Sequence, residues 1–476
     1  MGFKIDQITR IFESRGFHAG IGIPVLIERS LISVSRDQVW MHNLLQIMGK
    51  EIVRYESPEE LGRRSRLWTY EDVCLALMDS SGKEKIEAIF LDMPGIKEAQ
   101  WNMQAFSKMS NLRLLKIENV QLSEGPEDLS NKLRFLEWHS YPSKSLPTGL
   151  QVDELVELHM ANNSIEQLWY GCKSAVNLKI INLSNSLNMS KTPDLIGIPN
   201  LKSLILEGCT SLSKVHPSLS HNNKLQYVNL VNCARIRILP NNLEMESLKV
   251  CTLDGCSKLE KFPDIVGNMN CLMVLCLDET EVLGLRSCNL REGALPEDIG
   301  WLSSLRSLDL SQNNFVSLPK NIIRLSELEM LVLEDCMMLE SLPQVPYKVQ
   351  TIYLNGSISL KTIPDPINLR GSKRSDFICL NCWELYNHNG QDSMGLAMLE
   401  SYREGWSHPR PRFGIVVPGN EIPGWFNHQS KGSLNSVQVP SWSMGFVACV
   451  AFSVNGESPS PFVISKSMEE RIILRR

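Results

Sequence analysis

No stretch of this 476-residue sequence is apolar for long enough to cross a bilayer. The longest, GFVACVAFSV at 445–454, is about half of the ~20 residues that a span needs. The start, MGFKIDQITR, lacks the apolar core of a secretory signal, and Asp6 stands where an N-myristoylation site needs Ser or Thr. No charge of either sign dominates. Against 48 Lys and Arg stand 53 Asp and Glu, a net charge of −5, which argues against a general binder of nucleic acid or membrane surfaces. Nowhere does G-x-x-x-x-G-K-[ST] occur, so no phosphate cradle of backbone amides and a lysine is expected. The thirteen cysteines are odd in number and lack the spacing of a disulfide-stapled domain, so reduced thiols in the cytoplasm or nucleus are expected. Without an export signal, the sequons at Asn162, Asn188 and Asn355 carry no weight.

Short motifs add little chemistry. GIG at 20–22 has Val25 in place of the third glycine of a dinucleotide fingerprint and reads as a loop. GCKS at 171–174 lacks the upstream glycine of a phosphate loop and reads as a turn between repeats. Cys379 and Cys382 form C-x-x-C near His388, but no second ligand pair follows at zinc spacing, and they read as ordinary, partly buried thiols. His42 has no nucleophile or orienting acid at motif spacing. No metal ligand and no catalytic residue is assigned.

What is present is repetition. The pattern L-x-x-L-x-L-x-x-(C/N/T/S) begins at Leu112, Leu133, Leu155, Leu178, Leu201, Leu225, Leu248, Leu272, Leu305, Leu328 and Val349, with starts 21 to 24 residues apart except for one gap of 33. Each copy predicts a short strand that only stacked neighbours can bury. Cys209, Cys233, Cys256, Cys288 and Cys336 fall at the last motif position, where a small side chain turns under the backbone, and are expected to be structural and inert. Prolines at 147, 193, 240, 263, 296, 319 and 343 predict extended or single-turn returns in place of long helices. Read backward from Cys288, TEVLGLRSC fits the template from Thr280, so the long gap is expected to be a seam of two half-repeats joined at 278–282, left by loss of whole repeats.

Ahead of the repeats, IERSLISV, a polar SRDQ turn and VWM predict a hairpin, with a helix after Met41 marked by Leu44, Leu45, Met48 and Ile52. The order of ESRGFHAGIGIPVLIERSLISV, WMHNLLQIMGKEIVR, RRSRLW, IEAIFLDM, AFSKMSNLRLLKI, LRFLEWHSYPSKSLP, NSIEQLW and PGNEIPGWFNHQSKGS resembles the plant TIR-type nucleotide-binding leucine-rich-repeat immune receptors over nearly the whole chain. The expected fold is an α/β leucine-rich-repeat solenoid, preceded by a partial winged-helix module and followed by a partial β-sandwich. Residues 1–70 resemble the C-terminal, winged-helix-like part of the nucleotide-binding region. A linker and N-terminal cap (71–108), repeats (109–370), a connector (371–412) and a truncated post-repeat jelly-roll or Ig-like domain (413–476) follow. The resemblance is expected to stop near Gly456, leaving a cut sandwich with unpaired strand edges at Phe446, Val447, Val450 and Phe452 that is the least protected globular part.

The resemblance implies that Met41, His42 and Asn43 stand at a Met-His-Asp motif whose histidine meets the phosphates of bound ADP. Asn43 keeps a hydrogen-bonding side chain but lacks the acid's charge. It further implies ADP or ATP and an NAD-cleaving TIR domain in an intact receptor. Neither the phosphate loop nor that domain is found here, so no cofactor and no enzymatic activity are expected of this chain.

Residues two, four and six after the first leucine should line the concave face. Two after, the column includes Glu157, Ile180, Tyr227, Val250, Val274 and Met330; six after, it includes Glu118, Glu207, Asp254, Asp278 and Glu334 and has no Lys or Arg. Asp309 lies four after Leu305. An acidic stripe beside an apolar one is expected to bind a basic protein partner. The resemblance makes that partner a pathogen effector or a guarded host protein, with contact to other domains of a full-length receptor as a competing use of the surface. The chain then reads as the recognition and autoinhibitory part of a cytoplasmic or nuclear immune receptor, inserting in no membrane and binding no nucleic acid. The alternative is a truncated or spliced product acting as a decoy or regulator.

Overall fold

The computed structural model describes residues 4–13, 18–78, 82–266, 269, 271–272, 283–364, 374–382 and 384–385, with strands at 412–418, 446–451 and 461–467. The chain forms two compact units, Met1–Cys233 and Ala234–Arg476.

The first unit opens with helices α1 (Ile5–Glu13) and α2 (Ala19–Glu28), then the hairpin of β1 (Ser33–Ser35) and β2 (Gln38–Trp40), with Val34 opposite Val39. Arg36 and Asp37 both take positive φ, 48° and 59°, the two-residue turn whose twist suits a hairpin. Helix α3 (Asn43–Glu56) follows at once. GIG is not a loop but lies inside α2. Ala19 and Ile23, one turn apart, are buried there, and that anchoring outweighs the roughly 1 kcal/mol that each glycine costs a helix.

The repeat sheet starts earlier than the leucine pattern. Strand β3 (Arg66–Leu67) precedes α4 (Tyr70–Met78), and β4 (Ala88–Ala99) pairs with both β3 and β5 (Leu114–Leu122). The region expected to be linker and cap therefore already carries sheet. Strands β6 (Phe135–Trp138), β7 (Glu157–His159), β8 (Ile180–Asn182), β9 (Ser203–Ile205) and β10 (Tyr227–Asn229) follow, each parallel to the one before. In β9, Leu204 is fully buried between half-buried Ser203 and Ile205, the alternation that separates core from strand face.

Most of these strands are three or four residues long because the chain turns left-handed at a fixed place. Among the described residues, φ is positive seven places after the first motif residue, as at Asn162, Asn185, Gly208 and Asn232 in the first unit and Gly255, Gln312, Asp335 and Gly356 in the second. Gly and Asn adopt this conformation most readily, which accounts for their frequency in the column.

The next residue closes the turn and reaches across to its neighbour. Leu206 O accepts the amide of Cys209 at 3.1 Å and, with its second lone pair, Cys233 Sγ of the following repeat at 3.1 Å. Leu183 O does the same for Ser186 N and Cys209 Sγ, and in the second unit Leu253 O for Cys256 N and Cys288 Sγ. Asn313 Nδ2 on Leu285 O, Cys336 Sγ on Leu310 O and Ser357 Oγ on Leu333 O continue the ladder.

The second unit contains β11 (Asn242–Leu243), β12 (Val250–Thr252), β13 (Asp264–Ile265) and β14 (Leu283–Gly284). β11 and β13 pair on the return side, whereas Thr252 of β12 pairs directly with Gly284 of β14. The copy read backward from Cys288 thus enters the sheet. The strand expected from Leu272, with the 278–282 junction, lies outside the described residues. Strands β15 (Ser307–Asp309), β16 (Met330–Val332), β17 (Thr351–Tyr353) and β18 (Arg374–Ile378) continue in parallel. β18 belongs to a further repeat, RSDFICLNC, hidden from the leucine pattern because Arg374, Phe377 and Cys379 stand in place of its three leucines. Among the described residues, the return sides carry extended chain and 3-10 turns, two of them entered from Pro296 and Pro319, as the prolines predict.

At the end of the chain the structure corrects the expected cut sandwich. β19 (Arg412–Pro418) pairs with β18, and β21 (Pro461–Ser467) lies antiparallel between β19 and β20 (Phe446–Ala451). The tail past Gly456 supplies a central strand, so Phe446, Val447 and Val450 lie in a paired strand; Phe452 lies outside the described residues.

Burial pushes the Cys209 thiol up to about 11 and those of Cys233, Cys251, Cys288 and Cys336 up to about 12. At pH 8 an alkylating reagent is expected to label the exposed Cys172 and Cys271 at once and these five only on unfolding. The native state holds these protons more tightly than an unfolded chain, whose thiols titrate near 9.0. Stability should therefore be full below about pH 9 and fall as the pH rises towards 12, which urea titrations across that range would measure.

Candidate functional site

The strand faces of the two units differ in how their charge is used. In the first, Lys116 Nζ lies 2.9 Å from Glu118 and 3.0 Å from Glu137. Burial pushes the lysine down, but the two carboxylates outweigh it and hold its pKa above the usual value. Burial likewise pushes Glu118 up, and Lys116 outweighs that and keeps its carboxyl low. Glu118, Glu137 and His139 are donors of a type that suits a divalent cation. The Lys116 ammonium already lies against both carboxylates and supplies the positive charge there.

Glu157 is not offered to a partner. It is fully buried beneath α1, with Arg10 Nε at 2.7 Å, Gln7 Nε2 at 3.1 Å and His159 Nε2 at 3.0 Å. Burial alone would raise its pKa, but His159 and Arg10 overcome that and hold it below the usual range. A helix that carries its cation from some 147 residues upstream is invisible to repeat periodicity. Elsewhere on this face Ile180 and Tyr227 are half-buried, and Glu207 is exposed, accepting from Asn229 Nδ2 at 3.3 Å.

In the second unit, among the described residues, Asp309 and Glu334 form no ion pair, while Asp254 feels the Arg286 charge. Asp254 accepts the Arg286 amide at 2.9 Å, Asp309 the Ser311 amide at 2.8 Å, and Glu334 the Asn355 side chain at 2.7 Å. Among the described residues, the ion pairs of this unit lie elsewhere, at Arg237–Glu260, Lys261–Asp264, Lys348–Glu327 and Lys361–Glu340. Burial pushes the Asp254 carboxyl up. Val250 is half-buried and Met330 is 38% exposed, beside half-buried Val332 and Tyr353, which periodicity also placed on this face. Val274 and Asp278 lie outside the described residues.

Of the Met41, His42 and Asn43 triplet, all three are exposed, and His42 is the N-cap of α3. Its Nδ1 accepts the Leu44 amide at 3.2 Å, leaving Nε2 turned to other partners. Cys379 and Cys382 are not partly buried thiols: both are fully buried and joined to each other. His388 lies outside the described residues.

Residues 1–57 match the winged-helix domain family of Roq1-like disease resistance proteins, and residues 417–473 match the C-JID domain. The second match runs well past Gly456, where the resemblance was expected to stop. The chain is 31% identical over 92% of its length to Disease resistance-like protein DSC1 of Arabidopsis thaliana, covering 48% of that protein. It is 33% identical over 96% of its length to Disease resistance protein RPS6 of Arabidopsis thaliana (48% of that protein) and 28% identical over 95% to TMV resistance protein N of Nicotiana glutinosa (50%). The chain thus spans about half the length of these relatives. Among solved structures, the Leptospira interrogans LRR protein LIC12759 aligns with 63% of this chain and 85% of its own at 18% identity, with a TM-score of 0.33.

The buried Arg10–Glu157 pair yields a direct test. Arg10→Glu or Glu157→Arg alone should free α1, with a loss of about 3 kcal/mol for an uncompensated buried charge, and the double exchange should restore most of it. Hydrogen exchange of the Ile8 amide, which bonds to Lys4 O, reports the release. Because Glu157 is held low, its contribution is full above about pH 4.5, its ordinary value, and is lost as pH falls through the lowered one.

Proposed function

We propose that this chain, a homologue of the plant TIR-type nucleotide-binding leucine-rich-repeat disease-resistance proteins over more than nine-tenths of its length, is the recognition and autoinhibitory part of such a receptor. Its partner is a pathogen effector or a guarded host protein in the defence response, and it works in the cytoplasm or nucleus. No helix among the described residues is long and apolar enough to cross a membrane. The observation that carries the reading is the strand face of the second unit, where Asp309 and Glu334 form no ion pair among the described residues and stand beside Met330, Val332 and Tyr353. Apolar side chains that desolvate on contact supply affinity, and uncompensated acids select and steer a basic partner.

The autoinhibitory part of the reading is supported by the first unit. There α1, which belongs to the winged-helix module, sits on the strand face at β7 through Arg10 and Glu157. A partner that pulls on these repeats acts on the module that carries His42. In an intact receptor Met41, His42 and Asn43 would meet ADP or ATP, with His42 Nε2 the edge left for a phosphate oxygen. The chain itself performs no chemistry in this reading.

Peptide display against the native chain tests the recognition claim. Selected binders should place Lys or Arg beside an aromatic or aliphatic anchor. Their affinity should fall about tenfold or more for the triple variant Asp254→Asn, Asp309→Asn and Glu334→Gln, which removes the charge and keeps each hydrogen-bond acceptor. Raising the salt should slow their association. Binders without basic bias, or binding indifferent to the triple variant, would show that the acids only shape the turns.

A further inference from the structure

The rung formed by the repeat of Arg374 differs from the others. Cys382 Sγ lies 3.1 Å from Leu354 O, the place taken by Ser357 over Leu333 and by Cys336 over Leu310. The same sulfur is paired with that of Cys379, with Cα atoms 6.0 Å apart, a span that a disulfide bridges without backbone movement. Asn381, left-handed at φ 60°, folds the chain between them so that the two side chains meet. At the other cysteine rungs the residue three before is leucine: Leu206, Leu230, Leu253, Leu285 and Leu333. Only Cys382 has a second thiol in that place, where a leucine would pack the core at least as well.

A thiol can donate a hydrogen bond and a half-cystine cannot. Cys382 therefore either donates to Leu354 O or is bonded to Cys379, and the two states exclude each other. We propose that Cys379 and Cys382 are a redox-active dithiol site that exchanges with low-molecular-weight disulfides, and that oxidation removes this rung and loosens β18 from β17. One cysteine, as thiolate, attacks a sulfur of the small disulfide, breaking its S–S bond and releasing one thiolate. The second cysteine attacks the protein sulfur of the mixed disulfide, forms the Cys379–Cys382 bond and releases the second thiolate. The two protons lost by the cysteines go to the two released thiols, and two electrons pass to the small disulfide. Both side chains are fully buried, so exchange proceeds through opening of this repeat and is slow.

The test uses the full chain equilibrated in buffers of reduced and oxidised glutathione at varied ratio, acid-quenched, unfolded and alkylated with N-ethylmaleimide. Peptide masses should show Cys379 and Cys382 passing together from two labels to none as the ratio becomes oxidising. Cys209, Cys233, Cys288 and Cys336 should stay labelled throughout. In parallel, the Leu354 and Gly356 amides, which bond to Ile378 O and Leu380 O, should exchange about fivefold faster in the oxidised chain, the size of one neutral hydrogen bond. Cys382→Ser keeps the donor and cannot be oxidised, so it should match the reduced chain in every buffer. Cys382→Ala should match the oxidised one. A pair that keeps the same labelling at every ratio, or amides that exchange equally in both states, would overturn the proposal.

Discussion

The structure depends on one carbonyl per repeat. The third motif leucine closes its own turn with one lone pair and leaves the other to be met by the neighbour, as Leu206 is by Cys209 N and Cys233 Sγ. Left unmet in a buried place, such a group is costly, and no repeat can meet it alone. Much follows from that. The side chain at the last motif position must be small and able to donate, which Cys, Ser and Asn are, and the chain must turn left-handed just before it, which Gly and Asn do most readily. The strands stay short because the turn comes at a fixed distance. A stacking made of such units is expected to accept changes of whole units.

Periodicity carries local information, and the local features were legible. The leucine columns, the hairpin with its turn at Arg36 and Asp37, helix α3 and the buried cysteines all arise from residues within one or two turns of each other. The left-handed column was not read from the sequence, although Asn and Gly recur one place before the ladder residue. What else escaped came from contacts distant in sequence or from broken motif letters. Glu157 sits in an apolar column and looked like part of a binding face, until Arg10 and Gln7 arrived from a helix some 150 residues earlier. The repeat of Arg374 has none of its three motif leucines. β21 pairs antiparallel into a sheet whose other repeat strands run parallel, and no period announces it.

The two strand faces now have different parts to play. In the first unit, Lys116 neutralises Glu118 and Glu137, Arg10 neutralises Glu157, and α1 covers β7, whereas Glu207 stays exposed. In the second, the acids hold backbone amides or a neighbouring side chain, beside apolar side chains that are half-exposed. In the proposed reading one face serves as a tether and the other as a surface for a partner.

The claim that each repeat is completed by its neighbours is tested most directly by deleting one. Removing 201–224, the full 24-residue interval from Leu201 to the residue before Leu225, should leave a chain that unfolds cooperatively with a native-like circular dichroism spectrum. Cys233 then takes over the Leu183 carbonyl and stays protected from alkylation. Removing 201–212, half of that interval, should abolish the cooperative transition and expose the thiols of Cys233 and its neighbours. Equal tolerance of both deletions, or loss of folding in both, would contradict the account.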